Sequence, residues 1–379
     1  MFLIVSSFLA VFTVVNLKYS AHPYIWEGLL SGVCFIYFAR NAQSSAAKTL
    51  FYNLAVFLLC IGLLEAGASV LRPNHERTEY SQNYYDLDDI LGFAPKKNTS
   101  VSCRKYLDRR LLYDISYTIN KDGLRAAPLC RGIGCKNSIL FFGCSFTYGE
   151  GVNDDETTPF LVGKVSGSKV YNFGFHGYGP HQMLSAIEHG LVEKVVDSSP
   201  RYAFYQTAAF HVARASGNSS WDWHGPKYIL TADGKIKYDG HFDDPLIIRV
   251  RNFLLKKSAI YQNFIAGRCE INQGGRSEKD IDRYVAIIKA AKNELQRKFP
   301  GLEFYVIYWS WDYSTAQDRR IVERLHHAGI EVYYITDILP DFKENPGNYT
   351  IPIDGHPNLV ANRTIANYIV QHFLQVPAR

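Results

Sequence analysis

The 379-residue chain is predicted to be an α/β protein: a three-layer α/β/α sandwich on a mainly parallel five-stranded sheet, preceded by N-terminal transmembrane helices. Three observations carry this expectation. From residue 138 onward, short apolar runs alternate with segments of helical periodicity, the pattern of strands joined by crossover helices. The run Ser-Ile-Leu-Phe-Phe-Gly at 138–143 is apolar without alternation, as a parallel strand covered on both faces requires. Ahead of both, three apolar stretches crowd the first 72 residues.

Those stretches are residues 2–17, 24–39 and 50–71. A spanning helix needs about 20 apolar residues, which the third supplies comfortably and the first two barely. Glu27 and Glu65 interrupt the pattern. Met1-Phe2-Leu3-Ile4 lacks the basic start of a secretory leader, so residues 1–72 are expected to be a membrane region of about three helices. Arg40 and Lys48 lie in the second loop and only Lys18 in the first. The second loop is therefore cytoplasmic, and everything after Arg72 is outside an inner (plasma) membrane, periplasmic or otherwise extracytoplasmic. Cys103, Cys130, Cys135 and Cys269 can form bridges in such a compartment. Pairs Cys130–Cys135 and Cys103–Cys130, and free thiols, all stay open. Cys34 and Cys60 fall within apolar stretches and read as packing residues.

Residues 73–134 read as a linker and N-terminal extension, with a strand and an Asp122-Gly123 turn at 117–125. Residues 135–379 form the expected main domain. Its strands are placed at 138–143, 169–174, 202–208, 302–309 and 330–337, and its helices at 180–196, 277–299, 315–328 and 358–374. An insertion at about 216–275 breaks the rhythm and holds a hairpin around Asp233-Gly234. It is expected to be a lid or substrate wall.

The net charge of +5 is spread along the chain without a basic face, which excludes nucleic acid as the expected partner. Chemistry concentrates elsewhere. Phe-Phe-Gly-Cys-Ser-Phe-Thr-Tyr-Gly at 141–149 presents Ser145 on a strand-to-helix turn, and Asp354-Gly355-His356 stands before the last helix. A serine hydroxyl needs a neighbouring base to become nucleophilic. His356 is that base, and Asp354 would orient it and stabilise the imidazolium. The backbone N–H of Ser145, at a helix start, suits an oxyanion.

These segments resemble the SGNH/GDSL hydrolases. Gly143-Cys144-Ser145-Phe146-Thr147 resembles their first block, Asn172-Phe173-Gly174-Phe175-His176-Gly177 their second, and Asp354-Gly355-His356-Pro357-Asn358 their last. Asn120-Lys121-Asp122-Gly123-Leu124-Arg125 is similar to a segment preceding the core in membrane-anchored envelope members. The resemblance implies a flavodoxin-like sandwich and a serine esterase or O-acyltransferase. Its substrate would be acyl esters, acetyl among them, of an envelope glycan or lipid, within an envelope-biosynthesis complex and with no metal or organic cofactor. It gives Gly177 an oxyanion N–H. Cys144 replaces the first-block Asp, and the third block, matching 207–214, has no Asn. Either His211 or Arg214 is then expected to supply the missing donor, or the hole is reduced to backbone N–H groups, with His176 and Arg214 lining the substrate pocket beside His181. Trp221, Trp223 and His224 in the insertion are candidates for stacking on a sugar. A catalytically weak carbohydrate-binding or scaffold protein on the same fold is the alternative, favoured by the missing Asn.

Overall fold

A computed structural model describes residues 2–71, 76–130, 137–265, 277–310 and 315–374. The chain divides into two compact units: Met1–His75 with Pro245–Asn272, and Glu76–Asp244 with Gln273–Arg379. Helices α1 (Phe2–Tyr19), α2 (Pro23–Asn41) and α3 (Ser45–Val70) come first. Strands β1 (Glu76–Tyr80), β2 (Tyr85–Asp88), β3 (Gly92–Pro95), β4 (Thr99–Leu107) and β5 (Arg110–Ile119) follow. Then come β6 (Asn137–Phe142), α4 (Ser145–Tyr148), α5 (Thr158–Ser166), β7 (Lys169–Asn172), α6 (Pro180–Glu188) and α7 (Leu191–Val195). Next are β8 (Ser199–Ala208), α8 (Phe210–Ala215), β9 (Pro226–Leu230), β10 (Ile236–His241) and α9 (Leu246–Lys256), with a π-helical turn at Tyr261–Ile265. The chain ends with α10 (Glu278–Lys298), β11 (Glu303–Trp309), α11 (Ala316–His327), β12 (Glu331–Tyr334), α12 (Ile335–Ile338) and α13 (Leu359–His372).

In the first unit, α3 is long and apolar enough to cross a membrane, and the apolar part of α1 is shorter. Helices α2 and α3 touch backbone to backbone, so that a Cβ on Gly28 would lie 2.6 Å from the Cα of Gly62. The two glutamates are not stray charges, because a buried carboxylate must find donors. Glu27 accepts from Thr13 Oγ1 at 3.0 Å and Asn16 Nδ2 at 3.1 Å. Glu65 accepts from Ser258 Oγ at 2.5 Å and from the N–H of Ala259 at 2.6 Å.

The second unit is built on a five-stranded sheet ordered β12-β11-β8-β6-β7, with every pairing parallel. This is the flavodoxin-like order, in which strand succession reverses between β6 and β8. Successive side chains of a strand alternate faces. Leu140 and Phe142 therefore join one core with Tyr205, Val306 and α10, while Ile139 and Phe141 join another with Phe204, Trp309 and α13. The outcome is the expected three-layer α/β/α sandwich.

Some elements differ from expectation. The helix foreseen at 180–196 is two, because Gly190 (φ +71°) stops α6 before α7 begins. The strand foreseen at 330–337 ends at Tyr334 and turns into α12. The extension before β6, which has no strong period, folds as small antiparallel sheets β1-β4-β5 and β2-β3. Its apolar residues form a third core with Tyr148, Phe175 and Tyr178. Within the insertion, β9 and β10 stay with the second unit, whereas Pro245–Asn272 belongs to the first. Cys130 is disulfide-bonded, and Cys103 is buried and free, which removes the Cys103–Cys130 pairing. Cys135 and Cys269 lie outside the described residues.

Candidate active site

The site sits where the sheet order reverses, beyond the carboxyl end of β6, the crevice such sheets reserve for ligands. Gly143 leaves the strand at φ +149°, where a Cβ would meet Thr147 Oγ1 at 2.2 Å. Only glycine permits that close turn. Ser145 then opens α4 and is 6% exposed. The loop of the second predicted block is stapled to α4: Asn172 Nδ2 donates to the carbonyl of Thr147 at 3.0 Å, and its Oδ1 accepts from Gly174 N at 3.0 Å.

Ser145, His356 and Asp354 meet. His356 Nε2 lies 2.9 Å from Ser145 Oγ, and Nδ1 lies 2.5 Å from Asp354 Oδ1. With Nδ1–H donating to the carboxylate, Nε2 of the neutral ring is free to accept the serine proton. The short Asp-x-His spacing works because the backbone folds on itself there. Gly355 N donates to Ile351 O at 2.9 Å, Ile351 N to His356 O at 2.8 Å, and Ile353 takes φ +71°. An isoleucine in that region is strained.

Two charged residues that sequence reasoning missed complete the network. Lys105 Nζ donates to Asp354 Oδ2 at 2.6 Å, so both oxygens of the fully buried Asp354 carboxylate are bonded. Glu150 Oε2 lies 2.6 Å from His176 Nδ1 and 3.4 Å from His356 Nε2. Both carried a signal in the sequence. Val101, Cys103 and Lys105 alternate along β4 on its buried face, so Lys105 interrupts an apolar stripe and requires an anion. Glu150 is the acidic residue of the turn that carries the nucleophile, its N–H bonded to Ser145 O at 2.9 Å.

The electrostatics follow from these contacts. Burial opposes ionisation of Glu150, but His356, His176 and Lys105 outweigh it and hold the carboxyl well below the usual range. Burial likewise works against the Asp354 carboxylate, yet His356 and Lys105 keep its pKa lowered. For His356, burial disfavours the imidazolium, and attraction to Glu150 and Asp354 prevails, raising its pKa above the ordinary value.

Arg125 organises the turn from behind. Fully buried, it donates to the carbonyls of Tyr148 (2.8 Å), Gly149 (2.5 Å) and Val152 (2.7 Å) and pairs with Asp154 at 3.0 Å. Its guanidinium also stacks on Tyr117 and Tyr148.

Gly177 lies in the second-block loop, its carbonyl accepting from Trp221 Nε1 at 3.2 Å. His176 packs among Tyr84, Tyr117, Tyr148 and Phe175 beneath the site. It is a partner of Glu150. His211 is a correction: its Nδ1 bonds Tyr205 OH at 2.7 Å, and Arg214 donates to Nε2 at 3.2 Å. Burial, with Arg214 nearby, holds its pKa far down, so the ring is neutral with both nitrogens committed and offers an oxyanion no N–H. Arg214 also donates to Tyr178 O at 2.8 Å and lies over the rings of Phe210 and Trp221. His181 is fully buried against Asp222, and His224 pairs with Asp243. Trp221 is 43% exposed beside Gly177.

Glu150, Asp354 and His356 each offer a ligand atom within 4.8 Å of the others. Three commitments compete with a cation there: the serine bond to His356, both bonds to Asp354, and the adjacent Lys105 ammonium.

No protein-family model matches the chain, and no curated protein matches it. Among solved structures it is similar to a lipolytic protein of the G-D-S-L family from Desulfitobacterium hafniense, at 13% identity and TM-score 0.35, covering 62% of this chain and 98% of that one. It is also similar to an acetyl xylan esterase from the rumen bacterium Butyrivibrio proteoclasticus, at 12% identity and TM-score 0.37, covering 65% of each chain. A third similarity is to a carbohydrate esterase, at 13% identity and TM-score 0.37, covering 80% of this chain and 89% of that one.

Proposed function

We propose that the protein is a serine esterase or O-acyltransferase, anchored in a membrane by its N-terminal helices, with the second unit outside the cytoplasm. The observation that carries the chemistry is the continuous relay from Ser145 Oγ to His356 at 2.9 Å and from His356 to Asp354 at 2.5 Å. Ser145 Oγ attacks an ester carbonyl while His356 Nε2 takes its proton. The N–H groups of Ser145 and Gly177 receive the oxyanion, without a side-chain donor from His211. The alcohol leaves with the proton from His356. Water, or the hydroxyl of a glycan, then attacks the acyl-enzyme by the reverse sequence and restores Ser145. The resemblance of the three motif blocks supports an acyl ester, acetyl among the candidates, of an envelope glycan or lipid as substrate, with a biosynthetic complex as the setting.

A weakly catalytic carbohydrate-binding role is the second reading, favoured by the engagement of both nitrogens of His211. Hydrolysis of p-nitrophenyl acetate by the full chain in detergent separates the two. Ser145→Ala should lose activity by roughly 10⁴-fold or more; equal turnover by the variant and the parent would remove the nucleophile assignment.

A further inference from the structure

Helix α9 has a surface that the chemistry above does not use. Residues 245–265 are locked onto the three N-terminal helices by polar contacts at a single end of them. Tyr24 OH donates to Leu254 O at 2.8 Å, Lys257 Nζ to Ser20 O at 3.3 Å, and Asn263 Nδ2 to Ala68 O at 2.7 Å. Glu65 accepts from Ser258 Oγ and from the N–H groups of Ala259 and Ile260, so it caps the turn that follows α9. Ser20 and Tyr24 bracket the start of α2, while Glu65 and Ala68 lie near the end of α3. All four therefore mark the end of the bundle where the chain leaves α3 for β1. Glu65 is about 7.5 Å inside that end at 1.5 Å per residue.

On this foundation α9 is amphipathic, with its apolar side turned outward. Leu246 (75% exposed), Ile247 (73%), Val250, Phe253 and Leu254 fall on one arc, while Ile248 and Leu255 are partly buried and Asn252 is buried. By helical spacing Arg249 and Lys256 lie on one flank of this arc and Arg251 on the other, while Lys257, just past the helix, is turned to Ser20. An outward apolar face flanked by cations, at the depth where α3 ends, has the composition of a helix lying in a lipid–water interface. Basic side chains there reach phosphate headgroups while their stems remain in the apolar layer.

We propose that α9 is an interfacial membrane helix, seated at the headgroup level of the bilayer with Leu246, Ile247, Val250, Phe253 and Leu254 in lipid. The proposal rests on the membrane-spanning reading of α3. Its test places a photoreactive benzoyl-phenylalanine at Phe253, at Lys256 or at Val56 of α3 in the full chain. The protein is reconstituted in phosphatidylethanolamine–phosphatidylglycerol vesicles, and adducts are read by mass spectrometry. Lipid adducts are expected at Val56 and Phe253, with weaker ones at Lys256 on the flank of the helix. A lipid adduct at Val56 with none at Phe253, or protein adducts at Phe253, would overturn the interfacial helix while leaving α3 in the membrane. No lipid adduct at Val56 would overturn both.

Discussion

Glu150 and Asp354 flank His356 from two sides, and both favour its protonated form. The general base of this site must lose that proton before it can serve Ser145. Activity should therefore rise with pH through a midpoint above the ordinary histidine value. Stability takes the opposite sign, because a pKa raised by folding stabilises the native state fully below the unfolded value and loses that contribution as pH rises through the folded one. Glu150→Gln removes one of the two anions. We expect the acidic limb of its kcat/KM profile to move to lower pH, and the extra stability at low pH to shrink; an unmoved limb would show that Glu150 does not act on His356. Lys105 supports the other side. Lys105→Met leaves the buried Asp354 without its cation, and denaturant unfolding of the full chain should show a loss of about 3 kcal/mol. Metal chelators should leave hydrolysis by the parent protein unchanged.

At the scale of elements, the turn between β6 and α5 carries both Ser145 and Glu150, and Arg125 holds three of its carbonyls. Arg125→Lys keeps the charge but cannot reproduce a planar fork that reaches several acceptors. We expect kcat/KM to fall by up to ~100-fold, as small displacements of a nucleophile do, with recovery of neither the turn nor the rate by the lysine. The parallel strands were legible in the sequence because burial on both faces leaves uninterrupted apolar runs such as 138–142. Ser145 and His356 stood out through the turn and the Asp-Gly-His triplet. Lys105 showed only as a cation in the apolar stripe of β4 and Arg125 only as the end of a resembling segment, because their partners are 249 residues and 29 residues away and pairing across such separations leaves no local pattern. The antiparallel extension was equally obscure at its start: β1, β2 and β3 are short, and β1 and β2 carry no alternation. His211 misled for a related reason, since sequence position cannot reveal that Tyr205 and Arg214 already occupy both its nitrogens.

For the whole molecule, the two units share one chain in an interleaved order, with residues 245–272 returning to the first after most of the sheet has been made. A chain begun at residue 76 to free the second unit would still carry that segment without the helices it binds. We predict that such a truncation aggregates on size-exclusion chromatography. Replacing residues 245–272 by a short polar linker in the same truncation should give a monodisperse protein.

The carboxylate of Glu65 adds a matter of timing. Its partner Ser258 is made 193 residues later, an interval of ~10–40 s at the usual pace of synthesis. Throughout that interval α3 carries an acid with its capping donors still unmade, and strands β6, β7 and β8 emerge before they arrive. The N-terminal unit thus completes this contact only after the chain has been translated past the nucleophile.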